Sequence, residues 1–359
     1  MDTTDPEIVF DESGNCNHCN KVETFIKPQW LPNTEGEQRL AKIVQDIKSA
    51  KSDNKYDCII GLSGGVDSSY LAYIAKTKLG LNPLAVHVDG GWNSDEAVSN
   101  IENLTKKLGI DLYTVVVNWQ EMKDLQLAFL KAAVANQDVP QDHAFFAGLY
   151  SFSVKYKIRH VLNGSNFATE SILPASWGYN AMDSIYIMDI HKKFGTRKLK
   201  TFPIVSFYKR YIYYPFIKKM QVIKPLNYMP YNKDEAIAIM EKELGWKYYG
   251  GKHHESRFTK FFQAYYLPVK FGYDKRRAHL ASLIMSGSIT RDAALAEMEK
   301  LPYNEDTIES DMEFVAKKLG ISMAEFKELM ALPNKATSDY KSNAKFLAFA
   351  LKVKRFLKI

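Results

Sequence analysis

A seven-residue string, Ser-Gly-Gly-Val-Asp-Ser-Ser at residues 63–69, leaves this chain few choices of architecture. It follows the short apolar run of residues 58–62, which reads as a buried strand, and it precedes an amphipathic helical pattern. Two glycines let the backbone approach a phosphate closely, and the first N–H groups and the dipole of a helix favour an anion there. The string therefore predicts a phosphate-binding loop between a strand and a helix.

The side chains of this loop suit a nucleotide. Ser63, Ser68 and Ser69 supply hydroxyl donors beside the backbone of Gly64 and Gly65. Asp67 is placed to hold Mg²⁺ or to cap the helix, and the lysine of a Walker A loop is missing. The structural alternative is a glycine turn followed by a serine-rich helix cap.

The rest of the pattern divides the chain into three parts. Further strands at residues 84–88, 112–117 and 159–162 alternate with helices at 95–108, 122–137 and 143–157, which indicates a doubly wound α/β domain with a parallel sheet. We place this domain at residues 36–230, beginning with a helix over 36–49, after an irregular arm at residues 1–35. A helical C-terminal domain follows at 231–359. Its predicted helices cover 236–244 with Asn232 as N-cap, 291–300, 308–319, 323–330 and the tail.

The loop following Cys-Ile-Ile-Gly-Leu resembles the PP-loop signature of the ATP pyrophosphatases, a family similar in fold to the adenine nucleotide alpha hydrolases. The resemblance implies cleavage of ATP between its α and β phosphates and transfer of AMP to a carbonyl oxygen. It also implies that His87 and Asp89, at the end of the second strand, lie around the adenosine. Gly164 and Asn166, after the fourth strand, match a further nucleotide loop of the family. Strand ends of a parallel sheet meet at one crevice, so these motifs converge.

Several strings outside the loop narrow the resemblance. Residues 2–6, 10–16, 250–256 and 271–276 are similar to the N-acetyl sugar amidotransferases of the WbpG and PseA type, and the similarity extends to about residue 300. It implies that ATP adenylates the amide oxygen of an N-acetylated sugar and that ammonia then displaces AMP. An acetamido group would become an acetamidino group, for surface polysaccharide or flagellin glycan, with AMP and pyrophosphate released.

A cluster after residue 250 contains further candidate catalytic side chains, in addition to Ser63 and Asp67. His254 and Glu255, with His253 before them, could deprotonate ammonia, bind the sugar or bind a metal, and solvated residues at a helix start are the structural alternative. Lys275 is a candidate phosphate contact, as are Arg276 and Arg277, although a basic helix face explains them nearly as well. Glu170, Ser171 and the stretch 177–180 are candidates for the sugar wall.

The resemblance also implies a partner that supplies ammonia. Cys58 lies inside a strand, and no paired His/Glu motif follows it, so the chain shows no glutaminase of its own. We therefore expect a separate HisH-like glutaminase subunit and a HisF-like subunit that channels ammonia.

Composition sets outer limits on location and partners. No run approaches the roughly 20 apolar residues that a membrane span requires, and the N-terminus lacks a signal-peptide pattern, so we expect a cytoplasmic protein without a membrane partner. The net charge of +7 is concentrated in basic stretches of the second half. These could bind RNA, nucleotides or an acidic protein, or be a solvated basic face. We do not expect a nucleic-acid partner.

Cys16 and Cys19 have the CxxC spacing of half a tetrahedral zinc site. A completing ligand would have to come from elsewhere, with His253, His254 and His279 as candidates. A pair of free thiols is the alternative.

Two other functions remain open. A tRNA-modifying PP-loop enzyme of the thiolating type would also combine CxxC with a basic surface, but thiolation calls for a reactive cysteine near the loop, where the chain has only Cys58. A non-catalytic scaffold that senses ATP is the second rival. Intact Ser63, Asp67 and Ser68 argue against it.

Overall fold

A computed structural model describes residues 1–50, 54–251 and 254–348 of the chain. Its centre is a five-stranded sheet in the order β3-β2-β1-β4-β5, with every neighbouring pair parallel. The strands are β1 (Cys58–Gly61), β2 (Pro83–Asp89), β3 (Leu112–Val116), β4 (His160–Leu162) and β5 (Gln221–Ile223). The predicted doubly wound parallel sheet is confirmed, and β5 is an addition to the predicted strands.

The helices around the sheet agree in kind with the predicted pattern and shift at their ends, except that the two between residues 167 and 194 were not predicted. The helices are α2 (Thr34–Ser49), α3 (Val66–Thr77), α4 (Asp95–Leu108), α5 (Trp119–Lys131), α6 (Val139–Lys155), α7 (Phe167–Glu170), α8 (Ser184–Phe194) and α9 (Lys233–Leu244), after α1 (Asn17–Lys21) in the arm. Asn232 caps α9 as predicted, because its side chain accepts the N–H groups of Asp234 and Glu235. A helix with wider π-type turns, Lys209–Ile217, precedes β5.

The sheet separates two hydrophobic cores. Because strand side chains alternate between faces, Ile59 joins the core formed with α5, α6 and α8, while Cys58 and Ile60 join the core formed with α2, α3, α4 and α9. A central strand buried on both faces reads as an unbroken apolar run, and this is the pattern that identified β1.

The C-terminal helices build a third core at the end of the sheet, although Ala278 and Ala281 instead join the N-terminal arm in a separate cluster. These helices are α10 (Arg257–Phe261), which continues directly into the π-type turns of Phe262–Phe271, then α11 (Lys275–Met285), α12 (Arg291–Met298), α13 (Glu305–Leu319) and α14 (Met323–Ala331). Their core includes Phe258, Phe326 and Trp92, the last of which follows β2. Two backbone hydrogen bonds fix this junction: Ser94 N–H donates to Glu255 C=O, and Arg257 N–H donates to Trp92 C=O, both at 2.9 Å.

The N-terminal arm is more ordered than the sequence suggested. Residues 17–29 are helical rather than irregular, because Val22 and Ile26, four positions apart, are buried against Trp177 and Ala278. In the described part of the chain, no helix has both the length and the hydropathy that crossing a bilayer demands.

Candidate active site

The serine-glycine loop turns sharply between β1 and α3. Gly64 has φ +84°, and a Cβ there would lie 2.7 Å from the carbonyl oxygen of Ala97, so only glycine fits. Gly65 is the N-cap of α3. The hydroxyls of Ser63 and Ser68 lie 3.2 Å apart at the mouth of the turn, whereas Ser69 is buried at 1% exposure. Ser63 and Ser68 are thus the hydroxyls that the loop presents.

The first amide of α3 already binds an acceptor oxygen. Val66 N–H donates to the phenol oxygen of Tyr249 at 3.1 Å. A helix N-terminus attracts anions because its first N–H groups have no partner within the helix. Tyr249 therefore marks a position that an oxygen of a nucleotide phosphate can take.

Asp67 is held from two distant parts of the chain. Its Oδ1 accepts a hydrogen bond from the Tyr231 hydroxyl and a second, at 3.3 Å, from Asn166 Nδ2. Burial, and after it the negative charge of Asp67, raises the pKa of the Tyr231 phenol, so the phenol stays protonated and donates. Asp67 lines the crevice, so this carboxylate is held at its wall.

The loop after β4 lies directly against the loop helix. A Cβ on Gly164 would come within 2.9 Å of the backbone carbonyl of Asp67, so the absence of a side chain allows this approach. Asn166 caps the short helix α7 by accepting Thr169 N–H at 3.0 Å. Gly164 lines the crevice directly, and Asn166 acts through Asp67.

The end of β2 contributes a fixed polar group. The Nδ1–H of His87 donates to Leu62 C=O at 2.8 Å, which leaves Nε2 to accept from Asn93 Nδ2 at 2.9 Å. Asp89 accepts hydrogen bonds from Gly91 N–H and from the amide of Asn93. His87 is buried and lines the crevice, while Asp89 supports it through Asn93.

These strand ends open into a cavity of about 780 Å³. Most of the predicted loop residues lie on its wall: Ser63, Gly65, Asp67, Ser68, His87 and Gly164. The C-terminal part completes the wall with Glu255, Ser256, Thr259 and Lys275. The sheet and the C-terminal helices thus form one site.

Glu255 connects the loop to a second group of polar residues. Ser63 Oγ lies 3.5 Å from its Oε1, and a Cβ on Gly65 would lie 2.7 Å from the same oxygen. Ser256 OH donates to Gln141 Oε1 at 3.3 Å, and Gln141 Nε2 donates to Thr259 Oγ1 at 3.2 Å. Thr259 OH in turn donates to Asp138 Oδ1 at 3.1 Å.

Asp138 is a strongly perturbed carboxyl group at the cavity wall. Burial first, and then the negative charge of nearby Asp142, raise its pKa to about 8, although the cation of Lys275 acts in the opposite direction. Such a group can exchange a proton near neutral pH. Sequence reasoning missed Asp138 and Asp142, which lie on the α6 side of the cavity.

The stretch after α7 forms the outer wall. Of the residues predicted for a sugar wall, Glu170, Gly178, Tyr179 and Asn180 line the cavity, whereas Ser171 is not among the lining residues and Trp177 is fully buried. That this wall binds a sugar stays a prediction. Tyr179 OH donates to Asp183 Oδ2 at 2.7 Å, which fixes its ring. The wall therefore combines a carboxylate with an aromatic ring.

The other basic and histidine candidates that the structure describes are not among the residues that line the cavity. Arg276 forms an ion pair with Asp274 at 2.6 Å, and Arg277 forms one with Asp2, so both arginines hold the fold together. His254 is not among the described residues that line the cavity, and its ring packs against Gly251. Its catalytic role stays a prediction, and His253 and Lys252 lie outside the described residues.

The two cysteines lie side by side without a complete metal site. Cys16 Sγ and Cys19 Sγ are 3.4 Å apart, close to the roughly 3.8 Å of two thiolates on one zinc ion. His18 Nε2 instead pairs with Asp5 at 2.6 Å. Within residues 1–50, 54–251 and 254–348, no three His, Cys, Asp or Glu side chains gather as metal ligands. The described residues therefore do not complete a zinc site, and zinc stays a prediction.

Sequence families divide the chain at the same junction. Residues 38–204 match the NAD synthase family, and residues 255–354 match the C-terminal domain of the LPS biosynthesis protein WbpG-like family. The second match begins at Glu255, the residue beside Ser63.

Individual relatives share parts of the chain. An uncharacterized protein of Methanocaldococcus jannaschii is 39% identical over 27% of this chain and 39% of its own length. The glutamine-hydrolyzing GMP synthase of Wigglesworthia glossinidia brevipalpis is 23% identical over 66% of this chain and 40% of its own. This chain thus spans about two fifths of the length of these curated relatives.

Among solved structures, the NH3-dependent NAD synthetase of Campylobacter jejuni aligns with 84% of this chain and 97% of its own, at 17% identity and a TM-score of 0.34. The two family matches together cover most of the residues that line the cavity. This chain belongs to a WbpG-like family of PP-loop ATP pyrophosphatases.

Proposed function

We propose that this protein is an ATP-dependent amidotransferase that converts the acetamido group of an N-acetylated sugar to an acetamidino group. The product would serve surface polysaccharide or flagellin glycan biosynthesis. The observation that carries the proposal is one cavity whose wall contains both a phosphate loop and a buried carboxyl group of raised pKa. The WbpG-like C-terminal match supports the choice of a sugar as acceptor.

The loop end fits the triphosphate of ATP. The helix N-terminus and the hydroxyls of Ser63 and Ser68 offer donors where charge develops as pyrophosphate leaves. Asp67 presents a carboxylate to the same space, and carboxylates together with substrate phosphates are the usual ligands of Mg²⁺. Asp67 would therefore hold the ion, which when bound neutralises phosphate charge.

The first step makes a poor leaving group into a good one. The amide oxygen of the acetamido group attacks the α-phosphorus, the bond from that phosphorus to the bridging oxygen breaks, and pyrophosphate departs with the electron pair. The product is an O-adenylated imidate. Lys275, at the cavity wall, is placed to balance negative charge on the phosphates or on the imidate.

The second step calls for a proton acceptor and a site for a cation. Ammonia adds to the imidate carbon, the C–O bond then breaks, and AMP leaves with the former amide oxygen. The resulting amidine is protonated at neutral pH, so the nearby charges of Asp142 and Glu255 favour the product. The pKa of Asp138 is about 8, so the fraction of Asp138 that is ionised near neutral pH can take the proton that ammonium must lose before it attacks.

A separate protein would deliver the ammonia. The thiol of Cys58 is fully buried, and burial raises its pKa far above the usual value, so it is unsuited to attack glutamine. We propose a HisH-like glutaminase with a HisF-like channel subunit as the source. The same burial argues against Cys58 as the cysteine of a tRNA thiolation.

The test incubates the purified chain with ATP, Mg²⁺, ammonium chloride and a panel of N-acetylated sugars, and resolves the products by mass spectrometry. We expect AMP, pyrophosphate and a sugar lighter by about one mass unit, since NH replaces O. The variant Asp67→Asn distinguishes a catalytic loop from a loop that only senses ATP, because product formation should be lost in the variant only if the loop is catalytic. AMP formed only with tRNA, or ADP as the product, would refute the proposal.

A second incubation tests the division of labour. Glutamine replaces ammonium chloride, with no other protein present, and we expect no amidinated sugar. High ammonium salt should restore the reaction. Turnover of glutamine by this chain alone would show that it has a glutaminase site of its own.

A further inference from the structure

The connection from α8 to α9 is strongly and uniformly basic. Between Asp189 and Asp234 there are 44 residues with eleven Lys or Arg and no Asp or Glu. The whole chain has a net charge of +7, so all the other residues together carry −4. Nine of these eleven cations are exposed. No carboxylate within the connection offsets their charge.

The middle of this connection, residues 206–219, forms a tip that exposes apolar side chains. Tyr208, Ile212, Phe216 and Ile217 are 51%, 44%, 73% and 54% exposed. Residues 215–219, which are the last three residues of the helix Lys209–Ile217 and the two that follow it, are all exposed in succession. The end of this helix and the residues after it therefore form a continuous exposed surface.

The tip rests on a fixed base. Tyr214 is buried and packs on Tyr150 of α6 with ring centroids 5.4 Å apart. Tyr211 OH accepts a hydrogen bond from Asn180, a residue of the cavity wall, at 3.3 Å. The exposed side chains are thus presented from a packed support beside the catalytic cavity.

We propose that this tip, residues 206–219, docks the protein on an anionic lipid surface. Phe216 and Ile217 enter the interfacial region of the bilayer, and Lys209, Lys218 and Lys219 bind the lipid phosphates. Apolar side chains with flanking lysines bind membranes in this way without a spanning helix, so the inference departs from the expectation of no membrane partner.

The composition of the tip favours lipid over the other anionic partners. Its most exposed cations are all lysines, and lysine is depleted in protein interfaces, where arginine is enriched. Single-stranded nucleic acids stack on aromatic rings, and the exposed apolar residues of the tip include Ile212, Pro215 and Ile217, which have none, beside Tyr208 and Phe216. Apolar insertion and unspecific phosphate contacts together describe a lipid headgroup layer.

The experiment is co-sedimentation of the full chain with vesicles of phosphatidylcholine alone or with 30% phosphatidylglycerol, at low and high salt. We expect binding to the anionic vesicles that falls steeply with salt. Phe216→Ser with Ile217→Ser, and separately Lys218→Glu with Lys219→Glu, should each weaken it about tenfold or more. Circular dichroism checks that each variant is folded.

Matched controls come from equally exposed residues elsewhere. Leu295→Ser with Leu301→Ser removes two apolar side chains that are 52% and 53% exposed, and Lys42→Glu with Lys48→Glu reverses two exposed charges on α2. Both should bind vesicles as the parent does. The emission of Phe216→Trp should shift to the blue on anionic vesicles, and that of Leu295→Trp should not.

Three outcomes would overturn the proposal. They are no binding to anionic vesicles, binding that the Phe216→Ser and Ile217→Ser pair leaves intact, and tight binding of an RNA oligonucleotide that the lysine pair abolishes while vesicles stay unbound. Vesicle binding does not depend on ATP or on a sugar. Its result therefore stands apart from that of the amidotransferase assay.

Discussion

The hydroxyl of Tyr231 donates a hydrogen bond to the carboxylate of Asp67, across 164 positions of sequence. This contact ties the first turn of the loop helix to the residue that precedes the N-cap of α9. Asp67 is thereby oriented before any nucleotide binds. An oriented carboxylate loses less conformational entropy when it takes up a metal ion, and the contact can be removed without emptying the core.

Tyr231→Phe removes this hydroxyl and retains the ring. We expect a rise of about three- to tenfold in the KM for MgATP, because a hydrogen bond to a charged group is lost. Tyr70→Phe is the matched control, since its ring lies 5.6 Å from that of Tyr231 and it lines none of the cavity. Equal effects of both changes on KM would show that Tyr231 only packs.

Ser63→Ala and Asp67→Asn test the loop itself. Each removes a group at the mouth of the loop, and we expect AMP and pyrophosphate formation to fall by at least ~10²-fold. Asp95→Asn serves as control, because Asp95 is an exposed acid in the first turn of α4. Pyrophosphate release near the parent rate in either loop variant would remove the loop from the mechanism.

Gly164→Ala tests the close approach of two loops. The new Cβ would meet the backbone of Asp67 and Ser68 at 2.9 to 3.0 Å, and backbone cannot rotate away. We expect turnover to drop at least about tenfold, measured as AMP release. Gly178→Ala, on the same cavity wall, has its nearest contact at 4.0 Å and should stay within about twofold. Equal activity of the two variants would contradict the described packing.

Asp138→Asn tests the buried carboxyl group through stability. Folded Asp138 keeps its proton up to about pH 8, whereas its ordinary pKa is 3.8. The folded state therefore binds more protons between these values, and the free energy of unfolding falls as the pH rises from about 4 to about 8.

Asparagine cannot titrate, so the variant should lose this part of the pH dependence. Relative to the parent, it should gain at least about 1 kcal/mol between pH 5 and pH 9, measured by urea unfolding at both. The exposed Asp292→Asn should track the parent. Parallel curves for Asp138→Asn and its parent would show that the carboxyl group ionises normally.

Local sequence patterns predicted more of the fold than of the candidate site. The unit of β1, loop and α3 was predictable because its signals, an unbroken apolar run and a glycine pair, lie within 20 residues. β5 was not, since Gln221, Val222 and Ile223 form a short, largely exposed edge strand without alternation. The π-type turns around Pro215 and Pro268 also break the 3.6-residue period on which helix prediction depends.

The missed site residues share one property. Tyr249 and Asp138 line the cavity and Tyr231 holds Asp67 there, from three separate parts of the chain, and each looks like an ordinary core or surface residue in its own neighbourhood. Only the parallel sheet and the C-terminal junction bring them together. The strand-end residues Ser63, His87 and Gly164 could be predicted from the sequence, because the topology of a parallel sheet alone places strand ends in one crevice.

The junction between residues 92–94 and 255–257 limits how this lineage can evolve. Glu255 reaches Ser63 from the first position of the WbpG-like match, so a descendant that exchanges its C-terminal unit must also replace that carboxylate. Outer helices such as α12 and α14, remote from the loop, can diverge without this burden. Selection should therefore maintain the residues at this junction for their part in the ATP site. The outer helices are left free to change as the protein takes new acceptor substrates.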